Sequence, residues 1–120
     1  NFLNSIYASL KLDQLAFKLN VLGFSQGGPT ATRWVINNKF KLNSLILWGC
    51  DLPNDCLTEG NKSRWNDFGL KYVIGKNDEY IDEGKILNER EKLTNYGLVY
   101  DFHLYNGGHK IESSTLKKLI

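Results

Sequence analysis

Three glycines surround a serine in the segment GFSQGG, residues 23–28, directly after an apolar run. Ser25 is the centre of a G-x-S-x-G pattern between a predicted strand and a predicted helix, which is the setting of a nucleophile elbow. Gly23 and Gly27 would let strand and helix pack closely, with Ser25 in a strained backbone conformation. The backbone N–H of Gln26 would then face a developing oxyanion. We interpret Ser25 as a nucleophile, and a glycine-rich turn without catalytic function, binding phosphate or merely turning, is the alternative.

A serine hydroxyl becomes an effective nucleophile only when a base takes its proton, and a third group must orient that base. The sequence contains two histidines. His103 lies within a predicted strand and is assigned to packing or to the surface. His109 follows the same strand in the segment NGGH. Because sites in parallel sheets form at the carboxyl ends of strands, His109 is the candidate base.

Two aspartates directly follow predicted strands and are candidates for the group that orients the base. Asp78 comes three residues after the strand-ending Gly75, and Asp51 follows the segment WGC. A third aspartate, Asp82, is interpreted as a helix N-cap. We favour Asp78, and Asp51 is the alternative because it also emerges at a carboxyl end.

Helices and strands that position these residues are predicted to alternate along the chain. Helices are predicted over 2–10, 26–39, 82–96 and 112–120, strands over 17–24, 42–49, 70–75 and 98–105, and a loop with one short helix over 51–69. Strands joined by segments of crossover length predict a parallel sheet with helices on both faces. The fold class is therefore α/β, in a single domain covering residues 1–120.

Composition and charge exclude several classes of protein. The chain carries 15 basic and 13 acidic residues, well mixed, so nucleic acid is not an expected partner. No apolar run reaches the roughly 18–20 residues of a membrane span, and no signal-peptide pattern is present. Cys50 and Cys56 are predicted to be free thiols, with a small disulfide loop as the alternative, and they lack zinc-ligand spacing. We expect a cytoplasmic protein without a metal site.

The chain resembles the α/β-hydrolases, and within them the phospholipase/carboxylesterase group that includes the acyl-protein thioesterases. The resemblance rests on GFSQGG around Ser25, GKNDEYI around Asp78 and GGH around His109, in the order nucleophile, acid, base of that fold. It implies a serine hydrolase that cleaves small-molecule or lipid esters or thioesters through an acyl-enzyme, with no cofactor. An acyltransferase with the same triad and a non-catalytic α/β module that binds partners are the alternatives.

The 51–69 loop contains the candidate residues for the wall of a substrate pocket. These candidates are Leu52, Pro53 and Trp65. Plain packing of the same three side chains is the alternative.

The resemblance covers the later part of the family's fold, from the helix before the nucleophile strand to the C-terminal helix. The family's earlier strands, and the loop among them that supplies a second oxyanion N–H, have no counterpart, and the sequence contains no HG dipeptide. We therefore expect a C-terminal portion of the domain. Strand 17–24 would then expose an apolar edge, and we expect self-association through it if the earlier half is absent.

Overall fold

In the computed structural model, which describes residues 3–5 and 19–120, four parallel strands form one sheet. The strands lie side by side in chain order: β1 (Asn20–Phe24), β2 (Ser44–Trp48), β3 (Gly69–Gly75) and β4 (Asp101–Tyr105). Their register places Phe24 opposite Trp48, and Trp48 opposite Val73. All four carboxyl ends therefore lie at one edge of the sheet, where the segments after β1, β3 and β4 meet.

Within the described residues 19–120, four helices connect and cover the strands. They are α1 (Gly27–Asn37), α2 (Lys62–Trp65), α3 (Glu83–Tyr96) and α4 (Ser113–Leu119), with two short 3₁₀ turns at Asn54–Cys56 and Glu59–Asn61. Residues 3–5 are helical, whereas the rest of the predicted helix 2–10 and residues 17 and 18 of the predicted first strand lie outside the described residues. Within the described ranges, no helix is both long enough and apolar enough to cross a membrane.

The core has two parts because successive side chains of a strand point to opposite faces of the sheet. Leu45 and Leu47 of β2 pack in a cluster that contains Val35 of α1 and Leu93 of α3. Ile46 and Trp48 pack on the other face, in a cluster that contains Leu119 of α4. All five residues of β2 are buried. The predicted parallel sheet with helices on both faces is confirmed.

Helix α3 begins and ends at the residues that its sequence predicts. The Asp82 carboxylate accepts a hydrogen bond from the Lys85 backbone N–H at 2.9 Å, as an N-cap does. Gly97 ends the helix in the left-handed conformation, with a φ of 90°. The helix is thereby fixed directly after the segment that contains Asp78.

Strand β1 is at one edge of the described sheet. Among the described strands it pairs only with β2. Four of its five residues are only partly buried, and Gly23 is the buried one. No other strand of the described ranges pairs with the outer side of β1.

Candidate active site

Ser25 lies in the tight turn between β1 and α1, in an unusual backbone conformation. Its φ is 53°, and it is the only non-glycine residue with a positive φ in the part of the chain that the structure describes. The Ser25 N–H donates to the Trp48 carbonyl at 3.0 Å, and the Ser25 carbonyl accepts from the Gly28 N–H at 3.0 Å. Such a conformation costs about 1–3 kcal/mol and is found preferentially at functional sites. The strain predicted at this serine is present.

Close packing around the turn depends on Gly23 and Gly28. A Cβ on Gly23 would lie 2.6 Å from the Gly28 Cα, and a Cβ on Gly28 would lie 2.1 Å from the Cys50 Sγ. A Cβ on Gly27 would have no described heavy atom within 4 Å. The structure therefore corrects the predicted role of Gly27, because the helix turns Gly28 toward the sheet and Gly27 toward solvent.

His109 joins Ser25 to Asp78 by two hydrogen bonds. Its Nε2 lies 2.9 Å from the Ser25 Oγ, and its Nδ1 lies 2.7 Å from the Asp78 Oδ2. An ionised carboxylate only accepts hydrogen bonds, so the contact with Asp78 is a hydrogen bond when Nδ1 carries the proton, and in that tautomer Nε2 can accept from the serine hydroxyl. The side chains of His109 and Asp78 are 12% and 1% exposed. The structure therefore brings together three residues that the sequence predicts as a site.

Asp78 is held in place by the backbone that follows it. Its Oδ1 accepts from the Tyr80 N–H at 2.9 Å, which leaves Oδ2 for His109. Gly49 makes room for the His109 imidazole, since a Cβ on Gly49 would lie 2.9 Å from the His109 Cε1. The alternative acid, Asp51, is exposed and makes no hydrogen bond to His109. The geometry favours Asp78.

Two aromatic rings flank the imidazole, and the sequence analysis missed both. Phe24 packs against His109 with ring centroids 4.9 Å apart, and Tyr80 meets it edge-on at 4.8 Å. Phe24 precedes Ser25 by one position, and Tyr80 follows Asp78 by two. Both aromatic residues lie within two positions of a candidate site residue, and this proximity in sequence was the signal that could have indicated them.

An open cavity of about 370 Å³ lies beside Ser25. Besides Ser25 itself, its wall includes Gln26, Pro29, Asp51, Tyr80, Ile81 and Lys85. Gln26 stands at the start of α1, and no acceptor among the described residues takes its backbone N–H. The Gln26 N–H, one position after Ser25, therefore stays the predicted donor to an oxyanion.

The predicted pocket residues Leu52, Pro53 and Trp65 do not line this cavity. Leu52 and Trp65 are 2% and 4% exposed and belong to the core. The Trp65 indole N–H donates to the Cys56 carbonyl at 3.0 Å, and Pro53 is half-buried before the first 3₁₀ turn. The pocket assignment is corrected for Leu52 and Trp65, because the loop turns these two large apolar side chains into the core, whereas Pro53 simply lies outside the wall of this cavity.

Polar groups of α3 hold that loop in position. The Glu89 carboxylate, which is buried, accepts from the Leu52 N–H at 2.8 Å. The Lys92 ammonium donates to the Leu52 carbonyl at 2.9 Å and pairs with Glu89 at 2.7 Å. The backbone of Leu52 is thus bonded on both sides, which fixes its side chain in the core.

Both cysteines are buried free thiols, as predicted. Burial raises the pKa of Cys50 to about 12 and the pKa of Cys56 to about 11. Cys50 is one of the residues that line the cavity, but its thiol stays protonated near neutral pH, so it is a poor competitor for Ser25. In the described ranges, no three His, Cys, Asp or Glu side chains are grouped so that they could hold a metal ion.

The sheet and its helices match solved structures of α/β-hydrolases. An acyl-protein thioesterase 2 from Zea mays matches with a TM-score of 0.67 and 21% identity, over 96% of this chain and 59% of its own. A ferulic acid esterase gives a TM-score of 0.67 and 16% identity, over 99% and 56%. A carboxylesterase from Bacillus cereus gives 0.59 and 18%, over 98% and 53%. The chain thus has the α/β-hydrolase fold over roughly half the length of these proteins.

The sequence profile described as Phospholipase/Carboxylesterase matches residues 5–120. The chain belongs to this family, which confirms the resemblance noted in the sequence. A comparison with curated proteins gives no significant match.

Proposed function

We propose that the protein is a serine hydrolase that cleaves carboxylic esters or thioesters, with Ser25 as nucleophile, His109 as base and Asp78 as the group that orients the base. The continuous hydrogen-bonded path from the Ser25 Oγ through His109 to Asp78, at 2.9 and 2.7 Å, carries this proposal. Membership of the phospholipase/carboxylesterase family supports an ester bond as the target.

In the proposed first step, the Ser25 Oγ attacks the substrate carbonyl carbon while its proton moves to the His109 Nε2. The Asp78 carboxylate stabilises the imidazolium that forms. The Gln26 N–H donates to the carbonyl oxygen as negative charge develops there. When the tetrahedral intermediate collapses, the His109 Nε2 proton goes to the leaving alkoxide or thiolate, and an acyl-Ser25 ester remains.

Water completes the proposed cycle. His109 takes a proton from water as the water oxygen attacks the acyl carbonyl, and it returns that proton to the Ser25 Oγ as the ester bond breaks. The products are a carboxylic acid and an alcohol or thiol. Pro29, Tyr80 and Ile81 in the cavity wall support a small-molecule or lipid substrate with an apolar group near the reacting carbonyl.

The decisive variant is Ser25→Ala in the complete protein. Without the Ser25 Oγ no acyl-enzyme can form, so we expect ester turnover to fall by about 10⁴-fold or more. Hydrolysis of p-nitrophenyl esters measures this loss, and intact mass after exposure to a fluorophosphonate measures the reactive serine. Ser63→Ala, an exposed serine in α2, is the matched control and should keep both activities.

Wild-type turnover by Ser25→Ala, or a fluorophosphonate adduct on another residue, would contradict the assignment. Product analysis in the presence of an added alcohol distinguishes hydrolysis from acyl transfer. Free acid as the main product is the outcome expected of a hydrolase.

A further inference from the structure

Two aromatic side chains at strand ends lie beneath the segment that carries His109. The Tyr105 Oη, at the end of β4, is 2.5 Å from the Gly108 carbonyl oxygen and 2.5 Å from that of Lys110. The Trp48 Nε1, at the end of β2, is 3.1 Å from the Tyr105 Oη and 3.1 Å from the Lys110 oxygen. The two rings pack with centroids 5.3 Å apart. We call this pair, Trp48 and Tyr105, the aromatic anchor.

The aromatic anchor has two donor protons, one for each of the two backbone carbonyls that flank His109. Tyrosine and tryptophan each supply one donor proton. When the Tyr105 O–H donates to Gly108 and the Trp48 N–H donates to Lys110, each carbonyl has its own donor. Both rings are buried, so water does not compete for these hydrogen bonds and their loss is costly. The residues immediately before and after His109 are thereby fixed to the sheet.

The same segment is pressed against the end of β3, which leads to Asp78. The Asn77 N–H donates to the Gly107 carbonyl at 2.9 Å. A Cβ on Gly75 would lie 2.3 Å from that carbonyl oxygen. The backbone near His109 is therefore held from two sides, by the anchor beneath it and by the segment before Asp78.

We propose that Trp48 and Tyr105 are positioning residues for His109, which set its Nε2 at hydrogen-bond distance from the Ser25 Oγ. Neither residue lines the cavity beside Ser25. Loss of the anchor therefore lowers kcat and leaves KM nearly unchanged. A misplacement of about 1 Å in such a site costs about 100-fold in rate. This inference rests on the proposed function.

The chain offers a matched pair of substitutions, Tyr105→Phe and Tyr72→Phe. Tyr72 is a fully buried tyrosine of β3, and its hydroxyl has no hydrogen-bond partner among the described residues. Each substitution removes one hydroxyl from a buried ring in neighbouring strands, and only Tyr105→Phe removes a hydrogen-bond donor to the His109 segment. Any difference between the two variants therefore reports on that donor.

The experiment measures kcat and KM for a p-nitrophenyl ester in the complete protein, with the number of reactive sites counted by fluorophosphonate titration. We expect Tyr105→Phe to lose about 10- to 100-fold in kcat per titrated site, with KM within about twofold. Tyr72→Phe should keep the wild-type kcat. A wild-type kcat per titrated site in Tyr105→Phe overturns the proposal, even if fewer sites titrate, because a purely structural role changes only their number.

Two further measurements keep the inference separable from folding and from the proposed function. Trp48→Phe removes the other donor and should lower kcat per site in the same way. The proton NMR signal of the His109 Nδ1–H, identified by its loss in His109→Ala, should shift or broaden in Tyr105→Phe and stay unchanged in Tyr72→Phe. Absence of ester turnover in the wild type refutes the proposed function alone. An identical His109 Nδ1–H signal in the wild type, Tyr105→Phe and Tyr72→Phe refutes the positioning role.

Discussion

Ser25, His109 and Asp78 depend on one another at the scale of single residues. Hydrogen bonds position the His109 imidazole, with the Ser25 hydroxyl at one ring nitrogen and the Asp78 carboxylate at the other. It is also placed by what it touches, since the rings of Phe24 and Tyr80 pack against it. A substitution that preserves shape but changes hydrogen bonding therefore tests the site more sharply than a truncation.

Asp78→Asn is such a substitution. The amide keeps the size of the carboxylate but can offer N–H to the His109 Nδ1, which favours the wrong tautomer of the ring. We expect kcat to fall by about 10⁴-fold, as for the corresponding change in other triads. Steady-state hydrolysis of a p-nitrophenyl ester measures it.

Asp51→Asn is the control for this prediction, because Asp51 reaches the same cavity without bonding to His109. It should change kcat far less than Asp78→Asn. An equal or larger loss in Asp51→Asn would assign the acid role to Asp51.

The buried Cys50 thiol predicts a loss of stability at alkaline pH. Burial raises its pKa from 9.0 to about 12, so between these values the folded protein keeps a proton that the unfolded chain releases. The free energy of unfolding then falls as pH rises through this window, by up to about 1.4 kcal/mol per pH unit for one thiol. Urea unfolding at several pH values should give a shallower pH slope for Cys50→Ala than for the wild type. Equal slopes contradict the assignment to Cys50.

At the scale of elements, the site is built by three segments that follow strand ends, and each is fitted closely to its neighbour. Gly28 of α1 packs on Cys50, Gly49 faces His109, and Gly75 faces the backbone of Gly107. These contacts leave no room for a methyl group. Glycine at these positions therefore sets the distance between segments as well as their conformation.

Gly75→Ala should impair catalysis through the position of the His109 segment. The new Cβ would lie 2.3 Å from the Gly107 carbonyl oxygen, so one of the two segments must move. We expect a drop of about 10- to 100-fold in kcat per titrated site.

Gly97→Ala is the comparison for this substitution. Gly97 has a φ of 90° and open space around it at the end of α3. That variant should lose about 1 kcal/mol of stability and keep its kcat. A larger kcat loss in Gly97→Ala than in Gly75→Ala would contradict the steric argument.

The sequence predicted the parts of the site that depend on local rules. Ser25, Asp78 and His109 all follow strand ends, and the geometry of parallel sheets brings such positions together. The pocket residues were not predictable in this way, because the direction of the Leu52 side chain depends on Glu89, 37 positions later in the chain. The role of Trp48 was not predictable for a related reason. The hydrophobic pattern of a buried strand is the same whether or not the indole N–H of its tryptophan donates to a distant carbonyl.

At the scale of the whole molecule, the described sheet has one protected interior and an open edge at β1. Strand β2 is buried throughout, whereas β1 pairs on one side only among the described strands. The chain spans between 53% and 59% of the length of the three solved structures named above. A strand that has a partner on one side only among the described strands, and whose apolar side chains are partly exposed, favours association with another strand.

The 120-residue polypeptide produced by itself should therefore self-associate. Sedimentation velocity measures its mass over a range of concentrations. Leu22→Lys, which places a charge on a partly exposed position of β1, should reduce the association. Leu104→Lys, at an exposed position of β4 on the opposite edge, is the control and should leave it unchanged. A monomer at all concentrations, or an equal effect of the two substitutions, contradicts the role of the β1 edge.

Ser25 and His109 are 84 positions apart, and they belong to the segments that follow β1 and β4. A ribosome that synthesises the chain from its N-terminus therefore releases the serine long before the histidine. Throughout that interval the hydroxyl is an ordinary alcohol, without a neighbour to take its proton. With the roles proposed above for Ser25 and His109, the order of the strands delays activation of the hydroxyl until translation has delivered β4 and β4 has docked, so a shorter nascent polypeptide lacks the proposed base.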